Sequence, residues 1–203
     1  MDLQKICEIY NITVLTEENL KELYRKGRLE ADYIFSFYWK RIGKEILAIP
    51  QKGSINFHPG PLPEARGSGY HMAILENWGY YGVTAHYMDE EFDTGELIKC
   101  RHFSIAPNII NHELVKLTHE NLFLLFQDIV KKIFEGETLE GIPQTEERYF
   151  SLSKLESSKK ILEEDTEQQI ERKIRAFWNP PYDGARININ GKWYTVIDKE
   201  ILR

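Results

Sequence analysis

Residues 54–63 constrain this chain's fold more than any other segment. Ser54-Ile55-Asn56-Phe57-His58 has the pattern of a short strand, and Pro59, Pro61 and Pro63 follow at once. Proline has no amide hydrogen and a locked φ, so the strand must stop at His58 and leave through a stiff loop. Asn56 and His58 stand two apart, so their side chains leave the same face of the strand. A strand ending rigidly at its C-terminal edge is where open α/β sheets place ligands.

The flanking segments read as α/β. Leu3, Ile6, Cys7 and Tyr10 recur at helical spacing, Ile12-Thr13-Val14-Leu15 is a β-branched run, and Thr16 caps a charged helix over 17–24. Residues 32–38 are apolar almost throughout, as expected of a strand buried on both faces of a parallel sheet. Beyond the proline loop, the pattern predicts a helix over 70–76 and neighbouring strands over 83–88 and 96–103. A short acidic loop with Asp89, Glu90, Glu91 and Asp93 joins those strands. The longest helix is expected over 111–134, with Val115, Leu122, Phe126, Ile129 and Ile133 in one stripe.

Residues 1–150 read as one core and 151–203 as an appendage of a helix (167–178) and a β-hairpin. Residues 151–165 are polar and loop-like, and Asn190-Gly191 is a strong two-residue hairpin signal. Twenty-six basic residues against thirty-two acidic ones give a net charge of −6, which speaks against a nucleic-acid surface. There is no apolar run long enough to span a membrane and no apolar leader core. Cys7 and Cys100, far apart and without a CxxC, fit a reducing cytoplasm. No metal site is read. His112 lacks the second histidine of a zinc-protease helix, and Gly67-Ser68-Gly69 lacks the third glycine of a dinucleotide fingerprint.

Asn56, His58 and Asp93 together suit acyl transfer to an amine. The imidazole takes a proton near neutral pH, and the carboxylate fixes its tautomer. The carboxamide donates to a developing oxyanion, worth about 2.7–4 kcal/mol per donor. No serine or cysteine nucleophile stands beside the pair, so direct transfer is the simpler scheme. The same Asn-x-His spacing also serves a plain hydrogen-bonding pair, and spacing alone does not separate the two. His86 falls on the strand face of Thr84 and Met88, where it reads as a hydrogen-bonded structural histidine, with a place in the lining of the site as the alternative.

Asn56-Phe57-His58-Pro59-Gly60-Pro61-Leu62-Pro63, Arg66-Gly67, the run from Gly82 to Glu90, and Asp93-Thr94-Gly95 resemble the signature of the formyltetrahydrofolate-dependent formyltransferases. The resemblance covers about residues 5–135. It implies a Rossmann-like core, N10-formyltetrahydrofolate as formyl donor, and Asn56, His58 and Asp93 as the catalytic trio. It places the folate against Tyr38, Trp39 and Ile42 and against Met88, Asp89 and Phe92. Members of that family begin with a strand, a helix and a second strand, whereas this chain begins inside the helix that follows. An exposed sheet edge is therefore expected.

The tail from Phe177 to Ala185 resembles that of nucleotide-sugar N-formyltransferases. The resemblance implies an acceptor such as dTDP-4-amino-4,6-dideoxyglucose and a role in cell-surface polysaccharide synthesis. It puts sugar-nucleotide contacts at Pro61, Arg66 and Tyr70 and at Phe177, Trp178 or Tyr182. Arg66 suits a phosphate and an aromatic ring suits a base. Glycinamide ribonucleotide as acceptor and a non-catalytic nucleotide-sugar binder are the alternative readings. A homodimer paired through the hairpin edge is a further expectation.

Overall fold

The computed structural model describes residues 2–37, 39–67, 69–145, 148–199 and 201. Its strands are β1 (Tyr33–Ser36), β2 (Gly53–His58), β3 (Arg66–Gly67), β4 (Tyr80–Tyr87), β5 (Leu97–Ser104), β6 (Tyr149–Phe150), β7 (Lys160–Ile161), β8 (Arg186–Ile189) and β9 (Lys192–Thr195). Its helices are α1 (Leu3–Ile9), α2 (Glu17–Arg25), α3 (Lys44–Leu47), α4 (Gly69–Leu75), α5 (Asn111–Phe134), α6 (Leu152–Ser158) and α7 (Glu167–Phe177).

The main sheet runs in the order β1-β2-β4-β5. β1 pairs with β2 in parallel, while β2–β4 and β4–β5 are antiparallel, so the α/β fold has a mixed sheet. Strand alternation divides this sheet into an oily face and a chemical face. Ile55, Phe57, Val83 and Ala85 turn one way and pack on Leu122, Leu125 and Ile129 of α5. Burial of each large side chain stabilises the fold by about 1.5–3 kcal/mol. Asn56, His58, Thr84 and His86 turn the other way, and the β2–β4 register sets Asn56 opposite His86 and His58 opposite Thr84. The register slips between Ala85 and His86, an irregularity of the kind sheets place beside active sites.

A second core joins the middle of the sequence to its C-terminal part. Ala65, Met72, Ala73, Tyr81 and Leu114 pack with Leu155, Ile161, Ile174, Phe177 and Ala185. α7 begins with a capping box between Thr166 and Gln169, which satisfies the first amides of the helix. The hairpin turns at Asn190 (φ 52°) and Gly191 (φ 83°), the left-handed pair that a two-residue turn requires.

Three segments depart from the sequence reading. Residues 12–15 form no strand, and Ile12 and Val14 are exposed, because no strand among the described residues pairs with that run. β1 is an edge strand with Phe35 and Phe37 partly exposed, not a strand buried on both faces. Residues 151–165 carry a helix and a short strand: Ser151 caps α6 and accepts from the Lys154 amide, and β7 pairs with β8. Among the described residues, no helix is long and apolar enough to cross a membrane.

Candidate active site

Asn56, His58 and Asp93 meet at the C-terminal end of β2. The strand carries the first two, and the loop between β4 and β5 carries the third. Asp93 adopts φ +56°, a left-handed conformation that aspartate tolerates better than most residues. Gly95 lets that loop fold back on β4, since a Cβ there would lie 1.9 Å from the Tyr87 carbonyl oxygen.

The Asp93 carboxylate lies between two imidazoles. Its Oδ2 is 3.4 Å from His58 Nδ1, and its Oδ1 is 3.5 Å from His86 Nε2. Burial alone would push this carboxyl up, but its hydrogen bonds and charge interactions with His58 and His86 hold it well below the usual carboxylate range. His58 Nε2 faces the Ala65 carbonyl at 3.0 Å, so each ring nitrogen of His58 meets an oxygen. His86 Nδ1 lies 2.8 Å from the Tyr87 carbonyl, which places a proton on Nδ1, and its Nε2 lies 3.2 Å from Asn56 Nδ2 beside the Asp93 carboxylate. Asn56 Oδ1 is buried with no hydrogen-bond partner among the described residues. A buried acceptor left open at the floor of a cleft marks where a ligand's N–H can bind.

Side chains that the sequence reading passed over fix this geometry. Gln144 Nε2 donates to the carbonyls of Asp93 (3.0 Å) and Gly95 (2.7 Å), while its Oε1 accepts from Arg66 Nη2 at 3.2 Å. Thr84 Oγ1 donates to the Gly60 carbonyl at 2.8 Å and accepts from the Leu62 amide at 2.9 Å, pinning the proline loop above β4. Tyr81 adds a hydroxyl bond to the Pro59 carbonyl at 3.2 Å. His86 is both hydrogen-bonded and part of the cavity lining. Alternation put it on the right face, but only the β2–β4 register reveals that it meets Asn56.

A narrow cavity of about 30 Å³ opens over Asn56, His86 and Asp93, with Ile42, Met88, Asp89 and Phe92 in its walls. Four of the six expected folate-side positions therefore line one cleft. Asp89 also shapes the loop, since its Oδ1 accepts from the Glu91 amide (3.0 Å) and from Thr94 Oγ1 (2.6 Å). Trp39 does not line the cavity and is 80% exposed, with Lys40 Nζ 5.1 Å above its ring. Tyr38 lies outside the described residues.

On the acceptor side, Pro61 and Arg66 are buried in the loop after His58, and Tyr70 stacks on Tyr81 at 5.6 Å. Phe177 departs from expectation. It is 2% exposed within the core and stacks on His71, because α7 needs an apolar anchor at that turn. Trp178 is the C-cap of α7, its carbonyl accepting from the His112 amide at 3.2 Å, and Tyr182 is exposed. Among the described residues, no group of three or more His, Cys, Asp or Glu side chains is placed to hold a metal ion.

A family model described as formyl transferase matches residues 6–123. The chain belongs to that family. This formyl transferase is 29% identical to GDP-perosamine N-formyltransferase of Brucella melitensis over 99% of its own length and 78% of that protein's. It is 31% identical to methionyl-tRNA formyltransferase of Ehrlichia ruminantium (strain Gardel), covering 94% of this chain and 62% of the relative. The crystal structure of an N-formyltransferase from Helicobacter canadensis, in complex with folinic acid and dTDP-3-aminofucose, superposes with a TM-score of 0.76. That match has 28% identity and covers 94% of this chain and 68% of the other. The family and its relatives make this chain a formyl-transfer enzyme with a Rossmann-like α/β fold.

Proposed function

We propose that the chain transfers the formyl group of N10-formyltetrahydrofolate to the amine of a nucleotide-linked amino sugar. The observation that carries this reading is the cleft floor, where the open Asn56 Oδ1 lies in a cavity floored also by Asp93, the carboxylate held between His58 and His86. The relatives named above for GDP-perosamine and dTDP-3-aminofucose support the acceptor class. The net charge of −6 speaks against a tRNA acceptor.

The residues present suit such a donor. Ile42, Met88 and Phe92 offer apolar walls to a flat heterocycle, and the Asn56 amide lies at the floor beneath them. When bound, the donor supplies an electrophilic formyl carbon whose oxygen gains negative charge as an amine adds. The second N–H of Asn56 Nδ2 donates to that oxygen, while Oδ1 accepts from an N–H of the incoming amine. His58 takes the amine proton at Nε2, once the acceptor displaces that nitrogen from the Ala65 carbonyl. Asp93, ionised and beside Nδ1, stabilises the imidazolium that results. His58 then returns the proton to the departing nitrogen, which balances the exchange.

In the finer reading the acceptor is dTDP-4-amino-4,6-dideoxyglucose, used in cell-surface polysaccharide synthesis in the cytoplasm. Arg66 faces the diphosphate, Pro61 and Tyr70 the sugar, and Trp178 or Tyr182 the base. A homodimer through the β8–β9 hairpin belongs to the same reading. The test is product mass after incubation with N10-formyltetrahydrofolate and a panel of amines. The panel holds dTDP-4-amino, dTDP-3-amino and GDP-4-amino sugars, with glycinamide ribonucleotide as contrast. Formylated nucleotide sugar that disappears in His58→Ala supports the proposal. A folded protein that formylates none of the sugars sinks it.

A further inference from the structure

Two ion pairs cross the mouth of the cleft. Arg41 Nη2 lies 2.9 Å from Glu91 Oε2, and Lys44 Nζ lies 2.5 Å from Glu90 Oε1. The cations stand between β1 and the first residue of α3, and the carboxylates stand on the loop between β4 and β5. Lys40, Arg41, Glu90 and Glu91 all line the cavity whose floor is Asn56, His86 and Asp93. The Arg41 guanidinium also sits 5.8 Å over the Phe92 ring, so the same cation touches both the acidic strap and an apolar wall.

This mouth is too tight for the ligand the cleft is proposed to take. Its volume is about 30 Å³, against several hundred for a site that encloses a small organic molecule. A bicyclic pterin must part the two loops, and parting them breaks both ion pairs. Each member of the pairs is exposed, and exposed pairs of this kind hold weakly and exchange partners readily. The donor brings replacement anions. Its pterin is joined through an aminobenzoyl group to a glutamate with two carboxylates, and each further γ-linked glutamate adds one more. With the pterin inside the cleft, that tail leaves through the mouth, past Arg41 and Lys44.

We propose that Arg41 and Lys44 form an anion subsite for the glutamyl tail of the donor, which Glu91 and Glu90 occupy while the cleft is empty. The tail carboxylates take over the two cations as the loops part, so opening exchanges ion pairs instead of losing them. Glu90 and Glu91 turn to water, where carboxylates are well solvated. The subsite rewards a longer, more anionic tail, and salt weakens that reward because the pairs are exposed. This inference rests on the folate reading of the cleft.

Calorimetric titration with 5-formyltetrahydrofolate, as the monoglutamate and the triglutamate, tests it without requiring turnover. The intact chain is expected to bind the triglutamate about fivefold more tightly in low salt, with the gap closing as ionic strength rises. Arg41→Gln combined with Lys44→Gln should bring the two affinities together. Glu90→Gln combined with Glu91→Gln should tighten both ligands, because the cations are no longer masked. A double cation variant that keeps the full triglutamate preference overturns the subsite while leaving the folate reading intact. Failure of the intact chain to bind either folate overturns both.

Discussion

His58 Nδ1 faces Asp93 Oδ2 at 3.4 Å, and in the proposed reaction this contact decides which ring nitrogen takes the amine proton. With Nδ1 committed to the carboxylate, Nε2 is the nitrogen that points into the proline loop. Asp93→Asn keeps the shape but removes the charge, so an imidazolium at His58 loses its counter-ion. The expected result is a fall in kcat of about 10²–10⁴-fold with the fold retained, measured by formyl transfer and circular dichroism. Because the Asp93 carboxyl is held well below the usual range, its stabilising contribution is present above the ordinary aspartate pKa of about 3.9. It is lost as pH falls below that value. The Asp93→Asn protein should therefore unfold less steeply in acid below about pH 4 than the parent.

Gln144 is the hinge pin between the two halves of the site. Its amide holds the carbonyls on both sides of Thr94 and accepts from Arg66, so one side chain sets both the left-handed Asp93 turn and the guanidinium. Gln144→Leu leaves two carbonyls without their donor in a partly buried place, and each lost bond costs about 1 kcal/mol. We expect kcat to fall at least about tenfold, with a rise in acceptor KM, because Arg66 also loses its hydrogen bond to Gln144. Gln144→Glu would keep the acceptor for Arg66 but not the donor for Asp93. It should rescue KM and leave kcat low. Equal loss of both parameters in the two variants would show that Gln144 only supports the fold.

The parts of this molecule that were legible in its sequence share a cause. Asn56 and His58 share a face because strand period is local, and α5 was bounded correctly because a stripe of 24 residues with glycine stops is local too. Asn190-Gly191 specified its turn by its own backbone preferences. What was not legible depends on neighbours. Residues 12–15 have strand propensity but no partner strand, and the apolar run ending in Phe37 lies at an edge. Gln144 carries no signal at all, since it meets Asp93 across 51 residues of sequence. His86 lies between these cases: its face could be read, but its partner Asn56 could not.

Thr84 offers a test of how the proline loop is held. Fully buried, its hydroxyl bridges the Gly60 carbonyl and the Leu62 amide, and valine matches its shape without the oxygen. Thr84→Val should cost about 2–3 kcal/mol, because two buried backbone groups lose their partner. It should also lower kcat, since the same loop carries the Ala65 carbonyl that His58 Nε2 meets. Thr84→Ser keeps the oxygen and should recover most of the rate while losing only a buried methyl. Denaturant unfolding alongside formyl-transfer kinetics would read both effects. A valine variant with the parent's rate would show that the loop holds its shape without this bridge.

His71 is a titrating group that the chemistry does not use. It stacks on Phe177 at 5.1 Å with its Nδ1 unpartnered among the described residues. Burial, with the Lys159 charge nearby, pulls its pKa down from the ordinary 6.5 to about 4, against a smaller opposing pull from Glu156. The sign follows from linkage: the unfolded chain binds a proton between those values that the folded chain refuses. The folded state is favoured in full above about pH 6.5, and this contribution is lost as pH falls toward 4. The slope from this one group is at most about 1.4 kcal/mol per pH unit. His71→Gln removes the titration and keeps a polar side chain of similar reach. Urea unfolding from pH 7.5 to 4.5 should show the parent losing stability faster than the variant below pH 6.5, with parallel behaviour above it. Parallel curves across the whole range would mean that His71 takes up its proton as readily in the folded chain as in the unfolded one.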